Sequence, residues 1–217
     1  IMINKIKKLT SSIAILEYKE REAVKKLIFR SLKIKSNQKW IDVGCGSTPF
    51  KYLFIKHQYT GIDIEREGYG QAQKYVDEFY DGRRIPFDEK NFDGVLCNQV
   101  LGVCDDDNLL LSEIKRVLID GGYLIISTPF VYREVEKPFD FRRFTSYGII
   151  KKLEENNFII IENMKILSSL ETIGMLLSNY ISNHTPTRIF RIVVHLLICL
   201  PIQLFFSLIS FILPDNR

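Results

Sequence analysis

The sequence predicts an α/β fold: a mainly parallel sheet with helices on both faces, followed by a C-terminal apolar helical appendage. Three observations predict it. Short apolar runs alternate with helix-like stretches from Lys39 onward, the pattern of strands buried on both sides. The first run passes straight into a Gly-x-Gly turn at Gly44 and Gly46. From Ile166 the chain becomes strongly apolar, most of all over 189–213. A length of 217 residues suits one full α/β domain and an appendage, and is short for two independent cores. The expected divisions are a helical segment over 1–37, the α/β domain over 38–165 and the appendage over 166–217.

The N-terminal segment reads as a helix from Ser11 to Leu32. Ser11 or Ser12 can cap it, and Ile13, Leu16, Val24, Leu27, Ile28 and Leu32 recur at near-helical spacing. Strands are expected at Trp40 to Val43, Tyr59 to Ile64, Tyr75 to Phe79, Phe92 to Cys97, Tyr123 to Ser127 and Phe158 to Asn163. Helices are expected at Pro49 to Lys56, Asn108 to Leu118 and Ser146 to Glu155. In a parallel sheet of this kind ligands bind at the carboxyl ends of the strands, so functional residues are sought just after each run.

Composition narrows the class. An apolar fraction of 46% with 26% charged residues excludes a disordered chain. A formal net charge of +4 is mild, and no nucleic-acid partner is expected. The basic residues from Lys5 to Lys35 read as a solvated helix face, with contact to acidic lipid or nucleic acid as the alternative. Cys45, Cys97, Cys104 and Cys199 have no C-x-x-C spacing. They suit free thiols in a reducing cytoplasm and neither a disulfide framework nor a zinc site. The apolar stretch from Ile13 to Leu16 is too short for a signal-peptide core.

The segment Trp40-Ile41-Asp42-Val43-Gly44-Cys45-Gly46-Ser47-Thr48-Pro49 carries the most information. Glycines at a strand end allow positive φ and close approach of a ligand to the backbone. Ser47 or Thr48 can cap a following helix, and Pro49 suits its first turn. A plain βα turn has the same ingredients. The third glycine of the dinucleotide fingerprint is absent, which argues against an NAD site.

Taken with the segments after it, this D-x-G-x-G turn resembles motif I of class I S-adenosylmethionine-dependent methyltransferases, over about residues 38 to 163. The resemblance implies a Rossmann-like domain, S-adenosyl-L-methionine as cofactor, and Asp42, Gly44, Cys45 and Gly46 at the cofactor turn. Thr48 stands where the family has a third turn glycine. It implies Asp63, with Ile64, at the ribose; a carboxylate there can accept from both hydroxyls. Asp81 and Gly82, before Ile85-Pro86-Phe87, match the family's adenine position, with Asp77 as a nearby competitor. Asn98 and Gln99 match motif IV beside the reactive methyl. Val103-Cys104 stands where a His-containing pair is frequent in the family. Arg116-Val117-Leu118-Ile119-Asp120-Gly121-Gly122 resembles its R-x-L-x-x-G-G junction. Asp105-Asp106-Asp107 reads as a helix cap rather than a metal site.

The loop from Thr128 to Thr145 is dense in aromatic and charged residues. Loops after such a strand end form substrate walls. Its Asp-Phe-Arg-Arg-Phe-Thr stretch resembles methyltransferases of bacterial surface-polysaccharide clusters. Arg133, Arg142 and Arg143 can hold a phosphate or carboxylate in two-pronged contact. Equally, Asp140 can pair with Arg142 or Arg143 in a structural lid. Candidate bases for a hydroxyl acceptor are Asp140, Glu134 and Tyr132.

In the appendage, Arg188, Arg191, His195, Cys199, Gln203, Ser207 and Ser210 form a polar stripe, and Pro201 should kink the helix. The stripe suits a helix over 186–213 lying in a membrane interface, packing on the domain or a second subunit, or spanning a bilayer. The expected protein is a cytoplasmic enzyme, at the inner face of the membrane if the tail attaches. It is expected to O-methylate a small molecule, a sugar or a lipid-linked glycan. Methylation of a lipid or quinone is the second reading, and a silent membrane-associated binding module the third. The oligomeric state is left open.

Overall fold

The computed structural model describes residues 15–65, 72–185 and 187–215. The predicted caps Ser11 and Ser12, together with Ile13, lie outside the described residues. The chain divides into two compact units: Val24–Asn163, and Met164–Arg217 together with the stretch up to Ala23.

The first unit is built on five parallel strands: β1 (Lys39–Val43), β2 (Gln58–Ile64), β3 (Glu78–Tyr80), β4 (Phe92–Asn98) and β5 (Leu118–Ser127). Their order is β3-β2-β1-β4-β5. The chain therefore reverses direction across the sheet between β1 and β4, which opens a crevice at their carboxyl ends. Because side chains alternate along a strand, one face of β1 and β4 presents Ile41, Val43, Val95 and Cys97, and the other presents Trp40 and Leu96. Each face has its own cover.

Helix α1 (Ile15–Leu32) supplies Val24, Ile28 and Leu32 to the Trp40 side, where Phe50 and Phe54 complete the cluster. Its second half is thus core of this unit, so the unit begins inside the segment that the sequence set apart as 1–37. Gln38 accepts from Trp40 Nε1 at 3.0 Å and donates to Ser31 O at 3.1 Å, which satisfies the buried indole N–H. Gly94 faces Trp40 in register; a Cβ there would lie 2.4 Å from the ring, so the glycine makes room for the indole. Helix α2 (Asp107–Val117) buries Leu110, Leu111, Ile114 and Val117 on the opposite face. Asp106 caps it by accepting from Asn108 N and Leu109 N at 3.0 Å each, as the acidic run predicted. Helix α3 (Ser146–Glu155), capped by Thr145, adds Leu153 to the same face.

Four local expectations change. The strand expected at Tyr75 to Phe79 is the shorter Glu78–Tyr80, preceded by a 3-10 turn at Ala72–Tyr75. The stretch from Pro49 to Lys56 yields only a single 3-10 turn, Lys51–Phe54. Strand β5 begins at Leu118, so Gly121 and Gly122 lie within it. Phe158 to Asn163 forms no strand. Phe158 and Ile160 pack on the core while Ile159 and Ile161 are exposed, so the alternation is present without a neighbouring strand to pair with.

In the second unit, α4 (Ser169–Asn183) packs against a long helix made of α5 (Arg188–Val194), a π turn over His195–Cys199, and α6 (Leu200–Ile212). Ser168 and Glu171 form a reciprocal capping box at the start of α4. The π turn accommodates Pro201: Leu200 N–H reaches back to His195 O, so the helix widens just before the proline.

Candidate active site

The ends of β1, β2 and β3 bring the predicted cofactor residues from Asp42 to Gly82 to one edge of the sheet, and β4 ends in Asn98. After Val43 the chain turns at Gly44, with φ 71°, and Gly46, with φ 50°. Gly44 N and Cys45 N donate to Ile62 O at 2.9 and 3.0 Å, fastening the turn to β2. A Cβ on Gly44 would stand 2.3 Å from Val100 Cγ2, so no larger residue fits. Above Gly46 a Cβ would meet nothing within 4 Å; the cradle is open on that side. Thr48, in place of the family's third glycine, also takes positive φ, at 50°. The missing glycine therefore leaves the turn geometry in place, at the cost of strain on a β-branched residue.

Asp63 joins this turn. Its Oδ2 accepts from Gly46 N at 2.9 Å and its Oδ1 from Ile64 N at 2.8 Å. A carboxylate offers about four acceptor positions, so capacity remains for two hydroxyls of a ligand. Asp42 lies beneath the turn, 2% exposed, and accepts from Tyr59 Oη at 2.6 Å. Burial pushes its carboxyl up to about 7 against the opposing Tyr59 hydrogen bond. Asp42 thus supports the turn from inside. The Cys45 thiol is pushed up to about 12, first by burial and then by Asp42, Asp63 and Asp77, so it stays protonated.

Asp81 follows β3, whose pairing with β2 sets Asp63 opposite Phe79 and Ile64 opposite Tyr80. Asp81 Oδ1 accepts from Arg83 N at 2.8 Å and Arg84 N at 3.0 Å, and these hydrogen bonds, Arg84 first, hold its carboxyl below the usual range. Gly82 beside it has φ 78°. Asp77, the competing acid, is occupied. It accepts from Gly61 N at 2.8 Å and pairs with Lys51 at 3.0 Å. The loop after Asp81 is clamped from α2: Arg116 donates to Ile85 O at 2.9 Å and Phe87 O at 2.8 Å, and Glu113 accepts from Ile85 N at 2.9 Å. The junction motif points to Arg116, but its task here depends on a contact across the fold.

At the ends of β4 and β5, Ser127 Oγ donates to Asn98 Oδ1 at 2.6 Å and accepts from Gln99 Nε2 at 3.2 Å. Gln99 is held at φ 61°, in the left-handed region that non-glycine residues seldom occupy. Nothing in the sequence singles out Ser127 or Tyr59; both act through strand register, which composition does not give.

The loop from Thr128 to Thr145 separates the sequence candidates. Arg143 clasps Asp140 with both terminal nitrogens, and Val135 N donates to Asp140 Oδ2 at 2.8 Å. Arg143, against the burial of the site, holds the Asp140 carboxyl down at about 2. A carboxylate so held is a poor proton acceptor near neutrality; the geometry makes Asp140 the brace of the loop. Arg142 donates to Cys104 O and Asp105 O, both at 2.7 Å, and approaches Asp107 at 3.5 Å. Lys152 reaches the same Asp107 at 2.7 Å. Both guanidinium groups are thus engaged by the protein. Arg133 is exposed, its guanidinium 5.9 Å from the centre of the Tyr132 ring, and Glu134 is exposed beside Lys137 at 2.9 Å. Among the described residues no cluster of His, Cys, Asp and Glu could hold a metal ion.

The Asp140–Arg143 pair also bears on acid stability. A depressed carboxyl value means that the stabilisation is complete above pH 4 and lost as pH falls through about 2. Replacing Asp140 with asparagine should remove that part of the acid transition, on the order of 1–2 kcal/mol, in thermal melts followed between pH 5 and 2. If the wild-type and variant melts keep a constant separation across that range, Asp140 is not a brace.

Residues 41–126 match the methyltransferase domain family. Over 169 residues the chain is 27% identical to a fatty-acid O-methyltransferase of Mycolicibacterium smegmatis, covering 68% of this chain and 60% of that protein. Over 100 residues it is 31% identical to a malonyl-[acyl-carrier protein] O-methyltransferase of Erwinia billingiae, covering 43% of this chain and 40% of that protein. The chain thus spans from two fifths to three fifths of the length of these relatives. Among solved structures, a SAM-dependent methyltransferase from Thermotoga maritima superposes with a TM-score of 0.53 at 22% identity, covering 73% of this chain and 78% of that one. At that identity the likeness is one of fold. Residues 41–126 match a methyltransferase domain, and the parallel sheet has the Rossmann-like fold of SAM-dependent methyltransferases.

Proposed function

We propose that the chain is an S-adenosylmethionine-dependent O-methyltransferase whose acceptor is carried on a lipid. The observation that carries the methyl-transfer reading is the 2.9 Å bond from Gly46 N to Asp63, made beneath the open face of the glycine turn. On this reading the ribose hydroxyls donate to Asp63, the adenine amino group to Asp81, and the edge formed by Asn98 and Gln99 lies beside the methyl group. The bound cofactor supplies a methyl carbon already made electrophilic by its sulfonium. The task left to the chain is to align an acceptor oxygen with that carbon and to exclude water.

Two acceptors fit. The aromatic loop and exposed Arg133 suit a phosphate-bearing, lipid-linked glycan, with Glu134 or Tyr132 to take the hydroxyl proton. The names of the two relatives favour an acyl carboxylate, which is already anionic and needs no base. Incubation of the full chain with methyl-labelled cofactor and bacterial envelope lipids distinguishes them. Label in the lipid fraction is expected. Its loss on mild alkali marks a methyl ester, and its retention an ether on a sugar. Turnover confined to water-soluble acceptors contradicts the proposal.

A further inference from the structure

The hairpin of α4 and α5–α6 has its polarity reversed relative to a helix pair in water. Its polar groups lie in the seam. Ser207 Oγ donates to Glu171 Oε1 at 2.9 Å, and Ser210 Oγ to Ser168 Oγ at 2.6 Å. Ser178 Oγ and Cys199 Sγ exchange contacts with each other's carbonyls at 3.3 and 3.4 Å. Gln203 is 8% exposed. Glu171 also pairs with Lys19. His195 Nε2 is the buried exception without a partner among the described residues. Three members of the stripe read from the sequence, Cys199, Ser207 and Ser210, are therefore engaged by α4 and its cap Ser168. The side chain of Arg188, its first member, lies outside the described residues.

The apolar groups lie outside. Leu197, Leu204, Phe205, Leu208 and Phe211 are 71%, 54%, 58%, 61% and 86% exposed, and Ile173, Leu177 and Tyr180 continue the surface onto α4. Phe190–Ile212 has a mean hydropathy of 2.5 over its most apolar stretch, only 17% of which is buried. A core helix of a soluble domain shows the opposite burial. No Asp, Glu, Lys or Arg occurs between Arg191 and Asp215. Arg191 sits at the hairpin turn, bonded to Thr185 at 3.2 Å, and the Lys165–Asp215 pair closes the other end at 2.5 Å. The 23 residues of Phe190–Ile212 reach about 35 Å at 1.5 Å per residue, enough for a hydrocarbon layer of about 30 Å.

We propose that this hairpin is an integral membrane anchor, with the outer face of α5–α6 in the acyl chains of a lipid bilayer and the polar seam turned inward. Hydroxyls bonded between helices are what a hydrocarbon surrounding demands. An amphipathic helix lying in the interface needs its polar stripe toward the headgroups, and here α4 and its cap take up Cys199, Ser207 and Ser210 of that stripe. The inference rests on the hairpin's faces and not on the methyl-transfer reading.

The test uses the full chain, purified in detergent and reconstituted into vesicles of phosphatidylcholine, which is zwitterionic and has no net charge. It should float with the vesicles and remain bound through both high-salt and alkaline washes. The triple variant Leu204→Arg, Leu208→Arg, Phe211→Arg should lose at least tenfold in floated protein, while fluorescence of Trp40, buried in the sheet unit, shows that unit still folded. Should the triple variant not fold, Phe205→Trp provides the second readout: its emission should be quenched by acyl-brominated phosphatidylcholine beyond the quenching of Trp40 alone. Release by salt, an unquenched signal from the Phe205→Trp variant, or a detergent-free dimer in water that hides this face from lipid would overturn the anchor.

Discussion

Replacing Asp63 with alanine should weaken S-adenosylmethionine binding by about 100-fold in calorimetric titration, and should also lower the melting temperature by several degrees because Gly46 N and Ile64 N lose their acceptor. The side chain does two jobs. It accepts from Gly46 N and Ile64 N, at 2.9 and 2.8 Å, and so sets the turn. On the proposed reading it also accepts from ribose. Hydrogen bonds to a charged group are worth roughly 1.5–3 kcal/mol each, and about 1.4 kcal/mol is a tenfold change in affinity. Asp63→Asn keeps one acceptor oxygen and should fall between the two. Affinity in Asp63→Ala within threefold of the parent would remove Asp63 from the cofactor site.

Replacing Gly44 with valine should act through the fold instead. Its φ of 71° is costly for a β-branched residue, and its Cβ would stand 2.3 Å from Val100 Cγ2. Strain and overpacking each cost about 1–3 kcal/mol, so a loss of about 3 kcal/mol and a fall of roughly 10 °C in melting temperature are expected. Gly46→Ala is the informative partner. Its Cβ would meet no protein atom within 4 Å but would project into the cradle. It should therefore melt within a few degrees of the parent while losing cofactor affinity. Equal destabilisation by both substitutions would mean that the space above Gly46 is not reserved for a ligand.

What the sequence revealed and what it hid divide along a physical line. Features set by nearby residues were legible: the buried runs of β1 and β4, the Asp106 cap, and the turn at Gly44 and Gly46. Features that depend on register were not. Asp42 meets Tyr59 because β1 and β2 pair Trp40 with Tyr59, and nothing in either segment announces that pairing. In the sequence Asp140 suits proton transfer and an ion pair equally; the fold of the loop around Arg143 decides for the pair. Phe158 to Asn163 has the alternation of a strand, but pairing requires a neighbour as well as a pattern. The polar stripe of the appendage does form one helical face. Which surroundings it faces depends on α4, whose capping box at Ser168 and Glu171 could have been read from the sequence.

Hydrogen exchange of the full chain, with and without S-adenosylmethionine, tests the central claim most directly because it reports where the cofactor sits. Slower exchange is expected at the backbone amides of 44–48, 63–65 and 81–85, three stretches far apart in sequence that meet at the carboxyl ends of β1, β2 and β3. Protection confined to other segments, or no change at saturating cofactor, would contradict the account.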